Sequence, residues 1–102
     1  MEQMALTETT YYILLSLCKP LHGYGIMQRA AELSGGRVRL AAGTLYGALN
    51  ALVEKGWITL LPGEGRKKEY RLTPRGWEIL KKELARLREL VASGDMVLKE
   101  EA

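Results

Sequence analysis

Between Ala42 and Gly76 a helical stretch runs into a two-stranded hairpin and then into a second helix, and few small folds accommodate that order. From Thr44 to Lys55 the apolar residues Leu45, Ala48, Leu49, Leu52 and Val53 recur at i, i+3, i+4, i+7 and i+8, the narrow core-facing stripe of a helix. The stripe leaves Thr44, Tyr46, Gly47, Asn50 and Ala51 on the outward side. Gly56 stands where a left-handed C′ residue is wanted. Trp57 to Leu61 and Lys68 to Leu72 are rich in aromatic and aliphatic residues and flank a Gly-containing basic loop, so they predict a hairpin. Thr73 followed by Pro74 is an N-cap with proline at N1. A helix that fits a major groove, beside a positive hairpin, is how a small domain reads duplex DNA. The expected fold class is mainly α with a small β-hairpin. A winged helix-turn-helix would occupy residues 1–73, a C-terminal dimerisation helix 74–92 and a tail 93–102.

Upstream, Thr7 is an N-cap for a first helix, with Glu8 suited to its positive end. Tyr11, Tyr12, Ile13, Leu14, Leu15, Leu17 and Cys18 make that helix apolar nearly all round before Pro20 stops it. Burial on more than one side is required, and the excess points to a second subunit. Leu21 to Gly25 reads as a turn. Ile26, Met27, Ala30 and Leu33 give a second helix that ends at Ser34-Gly35-Gly36, and the alternation of Arg37-Val38-Arg39-Leu40 predicts a short half-buried strand. In the last helix Trp77, Leu80, Leu84, Leu87 and Val91 are spaced 3, 4, 3, 4, an a/d seam. With Tyr12 they form the expected dimerisation set. Gly94 is expected to end the helix.

The charge balance narrows the function. The 102-residue chain carries a net charge of only +3, but the charge is unevenly placed. From Gly35 to Arg75 the basic residues are Arg37, Arg39, Lys55, Arg66, Lys67, Lys68, Arg71 and Arg75, opposed by Glu54, Glu64 and Glu69 alone. The remainder is net acidic, so positive charge collects on the segment proposed to touch DNA. Cys18 is the single cysteine, which rules out an intramolecular disulfide and fits a reducing compartment. No apolar run approaches the length of a membrane span, so a soluble, cytoplasmic protein is expected. His22 is the single histidine, read as holding the turn into the second helix. The carboxylates are scattered among basic residues. Neither an enzyme nor a metal or cofactor site is expected.

The candidate DNA contacts follow from residue chemistry. Thr44 offers a hydroxyl to a base edge or phosphate, or else caps its helix. Asn50 has the amide geometry to pair with adenine. Tyr46 is suited to a phosphate, or to packing on the wing. Arg66, Lys67 and Lys68 at the hairpin tip would grip phosphates or enter the minor groove. Tyr24 reaches a phosphate or packs in the core, and Arg37 and Arg39 meet the backbone or stay solvated.

Several blocks of this chain resemble the PadR family of transcriptional regulators. They are Pro20-Leu21-His22-Gly23-Tyr24, Gly43-Thr44-Leu45-Tyr46, Leu49-x-x-Leu52, Gly56-Trp57-Ile58 and the run from Gly65 through Thr73 to Gly76. The resemblance spans roughly Leu6 to Val91 and is nearest the family's short branch. It implies a repressor that dimerises through one C-terminal helix and often responds to a small aromatic effector. At the position where some short members stack flat drugs on tryptophan, this chain has Leu87. The expected function is therefore a homodimeric regulator that binds a pseudo-palindromic site in double-stranded DNA. The rivals are a winged-helix protein-interaction module and a ligand-binding dimer without DNA regulation.

Overall fold

A computed structural model describes residues 5–62 and 68–101. The elements run α1 (Glu8–Ser16), β1 (Leu21–His22), α2 (Gly23–Leu33), α3 (Ala42–Glu54), β2 (Ile58–Leu60), β3 (Glu69–Leu72) and α4 (Pro74–Glu101). Local chemistry sets most of their ends. Thr7 caps α1, its hydroxyl accepting from Thr10 N–H at 3.1 Å. His22 caps α2 through Nδ1, which accepts from Gly25 N–H at 3.0 Å, the structural role expected of it. Both α2 and α3 close with paired bonds around a left-handed glycine. After α3, Gly56 (φ 76°) gives its N–H to Val53 O at 3.0 Å, and Trp57 N–H reaches Leu52 O at 3.1 Å. These are the two bonds of a Schellman turn.

The core is built from one buried stripe per element. Ile13, Leu14 and Leu17 of the α1 segment meet Ile26 of α2 and Leu45, Leu49 and Leu52 of α3, with Ile58, Leu72, Ile79 and Leu80 closing the far side. The strands form one antiparallel sheet in the order β1-β3-β2. Ile58 pairs with Leu72 and Leu60 with Tyr70, while Leu21 pairs with Tyr70 across the other edge of β3.

Four expectations are corrected. The third strand is Leu21–His22, where the sequence predicts a turn, and no strand forms at Arg37–Leu40. There the backbone bonds back to the end of α2 instead: Val38 N–H donates to Ser34 Oγ at 2.9 Å, and Arg37 N–H to Ser34 O at 3.3 Å. Second, α3 starts at Ala42 behind an Ala41 N-cap with no side-chain cap bond, so Thr44 lies inside the first turn and caps nothing. Third, α4 continues through Gly94 to Glu101. One helix glycine costs about 1 kcal/mol, too little to end a helix flanked by Leu, Met, Ala, Lys and Glu. Fourth, Leu80 is only 6% exposed and belongs to the chain's own core, which removes it from the dimerisation set.

Glu83 is buried at 1% exposure, an uncommon place for a carboxylate. Its two oxygens are satisfied by Arg86, at 2.7 and 2.8 Å, and by the Leu6 backbone N–H at 3.0 Å. The Arg86 hydrogen bond holds the Glu83 carboxyl below the usual carboxylate range, against the upward push of burial. A depressed folded pKa contributes stability that is present above the unfolded value and lost as pH falls through the folded one. Glu83→Gln is expected to lower Tm at neutral pH and to flatten its fall on acidification. Tm measured from pH 7 down into the acid range checks this. An acid limb as steep as that of the wild type would remove Glu83 from the account.

Candidate nucleic-acid interface

α3 buries Leu45, Leu49 and Leu52, and this turns Gly43, Thr44, Tyr46, Gly47, Asn50 and Ala51 to the exposed side. Nothing lies within 4 Å of where a Cβ would stand on Gly43 or Gly47. The outward surface of the helix is thus open and low, with Asn50 and Thr44 as its hydrogen-bonding groups. A duplex can approach its backbone closely.

The other candidates fall around this helix. Tyr24, in the first turn of α2, is exposed, and its hydroxyl accepts weakly from Gln28 Nε2 at 3.4 Å, so core packing is excluded for it. Arg39 is exposed and donates from Nε to Gly36 O at 3.1 Å. Arg37 is tied to Glu8 at 3.0 Å and braces the loop before α3 against α1. Lys68 precedes β3 and is exposed, as is Arg71 on β3. Arg66 and Lys67 lie outside the described residues. Lys55 sits 4.7 Å over the Trp57 ring, a cation–π contact at the base of the hairpin. Tyr46 behaves differently from the rest: its ring lies against Gly23 of α2, a contact that the sequence reading missed.

The dimerisation candidates separate into groups. Tyr12 and Leu87 line a cleft of about 310 Å³ between α1 and α4, together with Leu6, Tyr11 and the Glu83–Arg86 pair. Trp77 and Leu84 are partly exposed, and Val91 is 62% exposed. Beyond them Leu90, Met96, Val97 and Leu98 also stand uncovered. Exposed apolar side chains therefore continue along α4 well past the domain that covers its first turns, with Val91 and Leu98 one heptad apart in line with the seam.

A helical pair with an open second helix and an antiparallel wing beside it defines a winged helix-turn-helix protein. A family profile, the transcriptional regulator PadR-like family, matches residues 12–82. The chain belongs to the PadR-like family, whose members are transcriptional regulators and not enzymes. Among solved structures it is similar to a PadR-like transcription factor from Bacteroides fragilis, with 28% identity over 85% of this chain and 86% of that one and a TM-score of 0.69. A transcriptional regulator from Clostridium thermocellum is 26% identical over 90% and 92% of the two chains, with a TM-score of 0.67. RosR of H. salinarum is 25% identical over 90% and 96%, with a TM-score of 0.68. An uncharacterized 37.1 kDa protein of a Streptomyces fradiae transposon is 44% identical over 64 residues. That match covers 63% of this chain and only 18% of the transposon protein. No helix among the described residues is long and apolar enough to cross a membrane.

Proposed function

We propose that the protein is a cytoplasmic, homodimeric repressor that sets α3 of each subunit into a major groove of a pseudo-palindromic operator. The open outward face of α3 carries this reading. Asn50, Thr44 and the uncovered glycines present polar groups and backbone where an interaction module would present apolar side chains. Asn50 is the residue with the geometry for a bidentate adenine pair, and Lys68, with Arg66 and Lys67, supplies phosphate contacts from the wing. The partner is a second copy of the chain, for which the uncovered part of α4 is the natural surface. A small aromatic effector would be taken on the Tyr11–Tyr12 side of the α1–α4 cleft and would act by favouring a dimer with wrongly spaced helices.

Selection of bound sequences from a random duplex pool tests this. The recovered site should be a pseudo-palindrome with half-site centres about 10 base pairs, or a multiple of one turn, apart. Asn50→Ala is expected to relax preference at one position per half-site, at about 1–3 kcal/mol per pair lost. Lys68→Ala should weaken binding to all sequences alike and reduce the salt slope. Enrichment of no sequence, together with weak binding to random duplex at low salt, would reject DNA regulation in favour of a protein-interaction module.

A further inference from the structure

Tyr46 stands on the outward side of α3, but its phenol leans back onto the protein. A Cβ built on Gly23 would lie 2.8 Å from Tyr46 Cζ and 3.2 Å from Cε1, and would overlap the hydroxyl oxygen. Gly23 is buried at the start of α2, and its backbone is not in the left-handed region that favours glycine. Its missing side chain is therefore explained by the ring that fills the space. Gly23 follows directly on β1, whose Leu21 pairs with Tyr70 on the central strand β3. Burial raises the Tyr70 hydroxyl pKa above its ordinary value, with a smaller charge repulsion from Tyr46. One side chain of α3 thus occupies the place left open by the first residue of α2.

We infer that Tyr46 is a positioning residue: seated on Gly23, its ring sets the tilt of α3 against α2. The inference rests on the DNA-binding reading above for its consequence, though not for its geometry. A recognition helix reads base edges only when its tilt matches the groove, whereas phosphate contacts tolerate small displacements. Disturbing the seat should cost sequence preference before it costs general affinity.

The test compares Gly23→Ala, Tyr46→Phe, Tyr46→Ala and the double variant Gly23→Ala/Tyr46→Ala in the full chain. Each is titrated with the selected duplex and with a random duplex of equal length. Gly23→Ala must displace the ring of Tyr46, a residue 46% exposed and free to swing outward, and is expected to weaken the selected duplex several-fold while leaving the random duplex within about twofold. Tyr46→Phe keeps the ring and should retain both affinities within about twofold. With Tyr46→Ala the seat is already empty, so adding Gly23→Ala should change nothing further. A Tyr46→Phe loss as large as that of Tyr46→Ala would overturn the proposal and assign the hydroxyl a direct DNA contact. Fully additive losses from Gly23→Ala and Tyr46→Ala would overturn it as well. Thermal unfolding without DNA supplies a separate readout. Gly23→Ala should lower Tm in the wild-type background and not in the Tyr46→Ala background; equal falls in both would refute the contact itself. A Tm fall confined to the chain that keeps Tyr46, in a protein binding no duplex, would overturn the DNA reading while supporting the joint between α2 and α3.

Discussion

Gly76→Ala is expected to be among the most damaging single substitutions in this protein. A Cβ on Gly76 would fall inside the van der Waals envelope of the Trp57 carbonyl oxygen. That carbonyl is already committed, because it accepts the Thr73 N–H at 3.0 Å. Thr73 is fastened on both sides, donating its hydroxyl to Gly56 O at 2.6 Å and accepting from Gly76 N–H at 3.0 Å. The collision is between two backbone segments, and neither can swing aside as a side-chain tip would. Alanine favours a helix over glycine by about 1 kcal/mol, but overpacking costs about 1–3 kcal/mol and occasionally more, and a backbone oxygen in the way puts this site at the upper end. The clash wins. For a domain of this size the expected fall in Tm is about 10 °C or more, measured by thermal unfolding. Gly47→Ala is the internal control. It too lies within a helix, yet nothing stands within 4 Å of the added methyl, so Tm should rise slightly. Equal effects at the two sites would refute the close approach.

The features legible in the sequence were those settled within a turn or two of chain. Thr7, Thr73 and Gly56 act on their own helix ends, and a hydrophobic period of 3.6 residues identified α3 without reference to anything distant. The failures share a different cause. Leu21–His22 is a two-residue strand, too short to show alternation, and it exists because β3 offers an edge. Arg37 to Leu40 alternates for another reason, since Val38 is buried while its flanking arginines bond to Gly36 and Glu8. Leu80 fits the a/d spacing as well as Leu84 does, and nothing in the spacing shows that the domain core reaches the first turns of α4. Of the site, the outward set Thr44, Tyr46 and Asn50 was readable from the opposite face of the stripe. The seat of Tyr46 on Gly23 was not, because it joins two helices whose crossing angle leaves no trace in the periodicity. Glu83 was missed for the same reason: its neighbours Lys81, Lys82 and Arg86 suggest a solvated charge, and its burial depends on Leu6 and α1 closing over it.

The joint at Gly76 also explains why dimerisation should matter to DNA reading. The end of α3 and the start of α4 are held by the Thr73–Gly56 and Thr73–Trp57 bonds, so the direction of α4 is tied to that of the recognition helix. Whatever fixes two α4 helices relative to each other then fixes the spacing of two α3 helices. α4 spans 28 residues, about 42 Å at the helical rise, and its last turns extend beyond the domain.

If the proposed dimer forms through α4, Val91→Glu combined with Leu98→Glu is therefore expected to convert it into a folded monomer. The two side chains are 62% and 71% exposed and contribute nothing to the core of their own chain, so thermal unfolding of the winged domain should persist. Leu80 would be the wrong target, because its replacement would destabilise the core and leave the assembly question open. Placing charges on both copies of the apolar face sets like charges against each other and removes the area that drives association. Without the link between subunits each half-site is bound alone, and the avidity gained from joining two modules, about 100-fold or more, is lost. The salt dependence of specific binding should fall by about half, because half as many phosphates are neutralised per bound unit. Sedimentation at micromolar concentration and titration with the selected duplex in a salt series measure both effects. A dimer that survives the double substitution with its affinity intact would place the subunit contact elsewhere, with the α1–α4 cleft around Tyr12 and Leu87 the next surface to test.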